Sequence, residues 1–154
     1  MTTGQLDRIE KDVVLRAPRG RVWKALANVE EFNQWFGVNL QGEFAPGAKL
    51  SGRIRHKGYE HLTMAITIER FEPEHTLAWR WHPGAEGGEV AKSEEETTHV
   101  VFTLDEVPEG TRLRVVETGF DRVPVSRRER VFRENEGGWT GQMKAIKKYL
   151  EEAE

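Results

Sequence analysis

The stretch SRRERVFRENEGGWTGQMKAIKKYLEEAE, residues 126–154, decides the fold. Ser126 is followed three residues later by Glu129, and this capping-box pattern predicts the start of a helix. At about 1.5 Å per residue the helix would be roughly 40 Å long, enough to cross a small domain. Its apolar residues recur at steps of three, four or seven and therefore share one face, which another part of the chain must cover: Phe132, Trp139, Met143, Ile146 and Leu150.

The apolar face of this helix is interrupted halfway along. Continuing it towards the N-terminus reaches Asn135 and Glu136 instead of apolar side chains. Gly137 and Gly138 follow, and each glycine costs about 1 kcal/mol relative to alanine inside a helix. We therefore expect the backbone to approach a neighbour closely, or to bend, at the glycine pair. Residues 128–138 are then expected to lie over a cavity, and residues 139–150 to anchor the helix to the core.

The middle of the chain alternates between apolar and polar residues, as β-strands do. Two short helices precede most of these strands, at residues 19–28 and from about Glu30, and Gly37 is a suitable C-terminal residue for the second. Short turns between successive strands favour an antiparallel sheet with one covered face, so the order of elements predicts an α+β fold in which the long helix covers the sheet. The predicted strands are 9–16, 49–57, 62–69, 76–82, 97–105 and 112–117.

The composition limits the functional classes. With 154 residues, the chain is expected to form one domain spanning residues 1–154. Its formal net charge of −3 gives no electrostatic reason to expect nucleic-acid binding. No apolar run is long enough to insert into a membrane, and the polar N-terminus lacks the apolar core of a signal peptide. The absence of cysteine fits a reducing compartment, so we expect a cytoplasmic protein.

Signatures of catalysis and cofactor binding are missing from the sequence. There is no Gly-x-Ser-x-Gly nucleophile motif and no cysteine nucleophile. Residues 42–47 have the frame of a phosphate-binding loop but lack the Lys-Ser or Lys-Thr pair that must follow. His56 and His61 flank a predicted turn, but no third ligand stands at a recognisable spacing. We therefore predict no catalytic residue, no metal ligand and no cofactor.

One connection is long and contains almost no apolar residues. Residues 83–96 are rich in glycine and glutamate. Connections of this length are typically either mobile loops or lids over a site. Both interpretations stay open, and the exposed loop is the simpler one.

Several polar residues lie in phase with apolar faces. A polar group on a core face must find a partner, face a wet cavity or lie near solvent at a strand end. Because Asn135 and Glu136 interrupt the middle of a buried face, they indicate a cavity with a few polar groups in an aromatic wall. The alternative is a packed core whose polar residues reach water at its rim. The residues in phase are Lys11, His56, Glu117, Arg128, Asn135 and Glu136.

The predicted cavity lies between the long helix and the sheet. Its predicted ligand-binding residues come from the second short helix, the inner face of the strands and the helix itself. They are Trp35, Ile54, His56, Met64, Ile66, Trp79, Trp81, Phe102, Glu117, Phe132, Asn135, Glu136, Trp139 and Met143.

A set of short motifs resembles a known family in its order and spacing. The motifs are Ala17-Pro18 with Val22-Trp23-x-Ala25-Leu26, Trp35-Phe36, Phe71-x-Pro73 with Leu77-x-Trp79, Gly110-Thr111-x-Leu113 running to Gly119-Phe120, and Gly138-Trp139. Together they resemble the START-like (SRPBCC) superfamily, and within it the activator of heat-shock protein 90 ATPase homologue-like family.

The resemblance implies a helix-grip fold, in which a curved antiparallel sheet wraps around a long C-terminal helix with a cavity between them. Members of the superfamily bind lipids, sterols, polyketides or other apolar molecules, and a minority catalyse cyclisation or dehydration of polyketides. The eukaryotic co-chaperone that gives the family its name carries an additional N-terminal domain, which we do not expect here. The family has no shared catalytic motif to transfer.

Three functions remain as hypotheses. The first is binding of a small, largely apolar or aromatic molecule in the cavity without catalysis. The second is a polyketide cyclase or dehydratase in which Glu117 or Glu136, buried among tryptophans, acts as general acid or base. The third is a module that contacts a chaperone or regulator through an exposed apolar patch. A homodimer is compatible with the sequence but is not indicated by it.

Overall fold

The computed structural model describes residues 8–82 and 97–152 and has an α+β architecture. Six antiparallel strands form one open sheet in the order β1-β6-β5-β4-β3-β2, and the long C-terminal helix lies against it. The predicted helix-grip arrangement is therefore confirmed. The elements are β1 (Arg8–Leu15), α1 (Arg19–Ala27), α2 (Val29–Phe36), β2 (Lys49–Arg53), β3 (Thr63–Glu72), β4 (Thr76–Trp81), β5 (Thr98–Val107), β6 (Gly110–Thr118), a 3₁₀ turn (Phe120–Arg122) and α3 (Val125–Glu152).

Helix α3 buries the apolar face that the sequence predicts. Trp139, Met143, Ile146 and Leu150 are all at most 5% exposed and belong to the core. The hydrophobic effect at about 25 cal/mol per Å² makes this burial the main force that holds the helix on the sheet. The sheet therefore covers the apolar face of α3, as the sequence predicts.

The start of α3 differs from the prediction. The helix begins at Val125, directly after Pro124, so Ser126 is already inside the first turn and does not cap it. The side chain of Arg128 instead ties this end to the preceding turn. It donates hydrogen bonds to the carbonyl oxygens of Val123 (3.1 Å) and Asp121 (2.9 Å). The capping-box prediction is therefore wrong, while Arg128, singled out as polar and in phase, has a structural role.

The glycine pair in α3 does not mark a close contact. Gly137 and Gly138 are both exposed, and a Cβ added at either would meet no described atom within 4 Å outside the helix's own backbone. The expected close approach is wrong because both residues lie on the open side of a helix that runs on without a break.

Strand β2 is shorter than predicted. It ends at Arg53, and Ile54 forms only an isolated bridge with Val38. His56 therefore lies in the turn beyond the strand, where its Nε2 atom hydrogen-bonds to the carbonyl oxygen of Phe36 at 3.1 Å. Its ring packs on Gly37, which ends α2 in the left-handed conformation at φ 84°, as predicted. The strand placement of His56 was wrong because the turn begins earlier.

A polar cluster fixes the other end of α3. The hydroxyl of Tyr149 donates to Glu31 on α2 at 2.9 Å, and Arg21 on α1 donates to the same carboxylate at 2.7 Å. The two short helices are thereby attached to the last turns of α3. Within residues 8–82 and 97–152, no helix has the length and apolarity needed to cross a bilayer. The predicted loop or lid at residues 83–96 lies outside the described residues.

Candidate functional site

The centre of the candidate site is one buried acidic residue, Glu117, near the end of β6. Alternation along the strand places it on the same face as Leu113 and Val115, under α3. It pairs across the sheet with Ile9 on one side and Val100 on the other. Its side chain is 0% exposed, in a chain where few charged groups are buried at all.

Four side chains donate hydrogen bonds to the Glu117 carboxylate. The Thr98 hydroxyl (2.5 Å) and the Trp81 indole N–H (2.9 Å) reach Oε2. The Trp139 indole N–H reaches Oε1 at 2.8 Å, and the Asn135 amide spans both oxygens at 3.0 Å. These five residues, the Glu117 cluster, join strands β4, β5 and β6 to helix α3.

Burial dominates the electrostatics of the Glu117 cluster. Removal from water penalises the charged form and raises the pKa of Glu117, and hydrogen bonds from Thr98, Trp139, Trp81 and Asn135 offset part of that shift. The four donors are all uncharged, so they stabilise a carboxylate without supplying a positive charge. An indole N–H cannot accept a hydrogen bond from a protonated carboxyl group, whereas the Thr98 hydroxyl can.

The raised pKa predicts how stability depends on pH. Unfolded, Glu117 ionises near its ordinary pKa of about 4.3, whereas the folded protein keeps its proton to higher pH. The folded state binds more protons in this window, so the stabilising contribution of Glu117 is full below the unfolded pKa and falls as pH rises through the folded pKa. Urea unfolding of the wild type and Glu117→Gln from about pH 4 to 8 measures the difference. We expect the difference in the free energy of unfolding between the wild type and Glu117→Gln to decrease as pH rises. A difference that increases with pH would contradict the raised pKa of Glu117.

A small pocket lies directly beside the Glu117 cluster. It has a volume of about 90 Å³ and opens to solvent. Trp81 and Trp139 form two of its walls, with ring centroids 5.8 Å apart. The complete lining is Phe36, Trp81, Glu134, Asn135, Gly138, Trp139 and Gln142. Three of these side chains, Trp81, Asn135 and Trp139, are also donors to Glu117, so the buried carboxylate holds the pocket wall in place.

A second groove lies between β1 and α3. It has a volume of about 310 Å³ and is lined by Lys11, Asp12, Val13, Thr140, Met143, Lys144 and Lys147. Glu136, 46% exposed, forms an ion pair with Lys11 at 3.8 Å beside this groove. Glu136 therefore lies apart from the Glu117 cluster, on a more exposed side of α3.

The structure brings together part of the predicted site. Trp81, Asn135 and Trp139 line the pocket, and Glu117 lies immediately behind them. Trp79 and Phe102 pack against Trp139 in the layer beneath. The other predicted residues lie elsewhere. Trp35, Met64, Ile66 and Phe132 belong to the core, and Ile54 lies at the edge of the core. His56 packs against Gly37, whereas Met143 and Glu136 lie towards the second groove.

Sequence reasoning missed five contributors. Thr98 shares the strand phase of Val100 and Phe102 and so could have been placed beside Glu117. The Gln142 amide donates a hydrogen bond to the Phe36 carbonyl oxygen at 2.9 Å. No sequence pattern predicts this contact between α2 and α3. The remaining two, Glu134 and Gly138, lie within the stretch 128–138 that was expected to cover a cavity, but they were not named as ligand-binding residues.

Comparison with solved structures shows the same fold in proteins of low sequence identity. Protein MLL2253 from Mesorhizobium loti superposes with a TM-score of 0.76 at 19% identity, covering 96% of this chain and 98% of that one. The Aha1 dimer from Colwellia psychrerythraea gives 0.70 at 16% identity, covering 94% and 96%. DynU16, a putative protein in the dynemicin biosynthetic locus, gives 0.73 at 23% identity, covering 96% of this chain but 48% of its own length. No curated protein matches the chain.

The sequence itself also matches a family profile. The family is described as activator of Hsp90 ATPase homolog 1-like protein, and the match covers residues 16–151. This span includes α1, the strands that carry the Glu117 cluster and nearly all of α3. The chain belongs to the activator of Hsp90 ATPase homolog 1-like family.

Proposed function

We propose that this protein binds one end of a small, largely apolar molecule in the pocket between α3 and the sheet. The observation that carries the proposal is the buried Glu117 carboxyl, which positions three of the side chains that line the pocket. An aromatic wall with a few fixed polar groups is the usual composition of a small-molecule site.

The energetic argument concerns why an acid occupies this position. Burying a carboxylate costs several kcal/mol even after relaxation, and replacing a whole buried charged network by well-packed apolar residues is often neutral or stabilising. Glu117 fixes Trp81 and Trp139 in one orientation through their indole N–H groups. Rigid, pre-oriented aromatic walls reduce the entropic cost of binding a ligand. A group that is costly for folding but useful for orientation supports a binding role.

The dimensions of the pocket restrict what can enter it. Its volume of about 90 Å³ is smaller than an engineered cavity of about 150 Å³ that accepts benzene. Because the pocket opens to solvent, a larger ligand could insert one end and leave the remainder outside. We propose that only a compact group enters the pocket, where it would lie against Trp81 and Trp139.

Filling the pocket tests this function. Gly138 lines it and the adjacent Gly137 does not, although both are exposed glycines in α3. Leucine at either position favours the helix by somewhat less than 1 kcal/mol, so both variants should fold. We expect the neutral fluorescent probe 6-propionyl-2-(dimethylamino)naphthalene, which carries a compact group at each end, to bind the wild type and Gly137→Leu saturably. Gly138→Leu should weaken binding about tenfold or more, equivalent to about 1.4 kcal/mol.

The paired glycine variants also define the opposite result. If Gly138→Leu binds the probe as tightly as Gly137→Leu, the pocket is not the binding site. In that case the Glu117 cluster serves only to lock α3 onto the sheet. Circular dichroism of both variants checks that they keep the same helix content.

A catalytic role has one observation in its favour. The raised pKa of Glu117, caused by burial, is a shift in the direction that a general acid requires. However, Glu117 is 0% exposed, so a substrate atom would have to displace Asn135 or another donor to reach it. Glu136 is half-exposed and ion-paired with Lys11, which does not suit the same role. We therefore rank a cyclase or dehydratase activity second.

The interaction-module hypothesis receives less support. Among the described residues, the large apolar side chains that are exposed are Tyr59 and Val125. Two isolated side chains are far from the patch of several hundred Å² that marks a protein-binding surface.

A further inference from the structure

We propose, building on the binding function above, that the pocket accepts a positively charged end of its ligand, a protonated amine or quaternary ammonium, and rejects a carboxylate end. The juxtaposition that carries this inference is a pocket whose indole N–H groups point into the protein and whose lining combines three aromatic rings with one acidic side chain, Glu134.

The donors of the pocket wall are already engaged. The indole N–H groups of Trp81 and Trp139 and the amide of Asn135 all donate to Glu117. The amide of Gln142 donates to the carbonyl oxygen of Phe36. An anionic ligand end needs N–H or O–H donors to replace its water. Trp81 and Trp139 each have a single indole N–H and would have to break its hydrogen bond to Glu117, whereas Gln142 has a second amide N–H that it would have to turn towards the ligand.

The groups that line the pocket produce a negative electrostatic potential. Trp81, Trp139 and Phe36 line the pocket. The faces of aromatic rings carry the negative side of the quadrupole, which attracts cations within about 6 Å of the ring centre. Glu134 contributes a carboxylate at the rim, where it forms an ion pair with Arg130 at 3.8 Å. Among the described residues, no lysine, arginine or histidine lines the pocket.

The buried carboxyl adds to the same preference. Glu117 lies directly behind Trp81 and Trp139, and its hydrogen-bond partners are uncharged side chains. When ionised, it polarises both indole rings so that electron density moves towards their outer faces. In its neutral form the aromatic walls and Glu134 remain, so the pocket still disfavours an anion.

The second groove differs from the pocket in the charge of its lining side chains. Three lysines line the groove between β1 and α3, on another side of the same helix: Lys11, Lys144 and Lys147. The pocket beside Trp81 and Trp139 therefore differs from its surroundings in charge, and a carboxylate near the protein has a better site elsewhere. Discrimination between charged ends of a ligand is the expected consequence.

Three small probes of closely similar shape test the inference. Choline and its neutral carbon isostere 3,3-dimethylbutanol differ in charge, and 3,3-dimethylbutanoate supplies the anion. Titrations followed by the NMR signals of the Trp81 and Trp139 indole N–H groups report on the pocket itself. We expect choline to bind about 2- to 30-fold more tightly than the neutral isostere, the range of a cation over aromatic faces. The carboxylate should give no saturable shift at these signals.

Charge-removing variants separate this inference from simple occupancy. Glu134→Gln removes the acid that lines the pocket and should weaken choline several-fold while leaving the neutral isostere unchanged. Glu129→Gln removes an exposed acid from the same helix, paired with Arg133 at 3.1 Å, and should change neither. The wild type and both variants keep Glu117, so their folds should be equivalent.

The outcomes distinguish the two proposals. Equal binding of choline and its isostere, or tighter binding of the carboxylate, overturns the charge preference while the binding function stands. If none of the three probes shifts the two indole signals, the charge preference also fails. The Gly138→Leu comparison then decides by itself whether the pocket binds anything.

Discussion

Replacement of Glu117 by leucine is expected to lower the free energy of unfolding by about 3–5 kcal/mol, because several buried donors lose their shared acceptor at once. Leucine fills most of the volume but accepts no hydrogen bond. Two indole N–H groups, the Thr98 hydroxyl and the Asn135 amide would then remain buried or half-buried without their acceptor. Each such group costs about 1–3 kcal/mol when its partner is removed, less whatever water can restore. Urea denaturation monitored by tryptophan fluorescence measures the change.

The matched control is Glu136→Leu on the facing helix. Glu136 is 46% exposed and its ion pair with Lys11 is 3.8 Å long, so we expect a change below about 1 kcal/mol. Glu117→Gln should fall between the two, because an amide keeps one acceptor oxygen for the indole donors. A Glu117→Leu protein as stable as the Glu136→Leu protein would contradict the account of the cluster. It would mean that solvent reaches the donors readily.

Truncation of Trp79 to alanine is expected to cost about 3–5 kcal/mol, the range for deleting a large buried ring. Trp79 is 0% exposed and lies at the centre of the aromatic core. It contacts five other rings at centroid distances between 5.2 and 6.5 Å: Phe32, Phe36, Trp81, Phe102 and Trp139. Its removal would leave a void that these rings cannot fill without leaving their rotamers. The midpoint of urea unfolding gives the loss.

Trp79→Phe separates packing from polarity at the same position. Within the described part of the chain the Trp79 indole N–H has no hydrogen-bond partner, although it is buried. Phenylalanine loses some volume but removes this unsatisfied group, which by itself costs about 1–3 kcal/mol. We therefore expect Trp79→Phe to cost less than about 1.5 kcal/mol. A loss as large as that of the alanine variant would show that the N–H is satisfied in solution.

Much of the fold was predictable because it depends on periodicity. The spacing of Trp139, Met143, Ile146 and Leu150 predicts the buried face of α3, and alternation predicts the strands of the antiparallel sheet. Errors are concentrated where periodicity ends. The start of α3 and the end of β2 depend on turns, in which single residues such as Pro124 decide the boundary.

The candidate site was predictable only in part. Phase alone identified Glu117 and Asn135, and the structure joins them by a hydrogen bond of 3.0 Å. Phase also identified Lys11 and Glu136, which form an ion pair with each other instead of lining the same pocket. A helical wheel gives the angle of a residue but not which strand passes beneath it. The separation of these two pairs therefore required the three-dimensional packing of α3 across the sheet.

The position of β1 has a consequence for the protein during its own synthesis. Its hydrogen-bonded neighbour in the sheet is β6, and about 95 residues separate Leu15 from Gly110. At roughly 5–20 residues per second, a ribosome needs about 5–20 s to supply the partner strand. During that interval Val13, Val14 and Leu15 have an unpaired backbone and no sheet to join. During synthesis, pairing of the first strand therefore cannot begin until β6 has emerged.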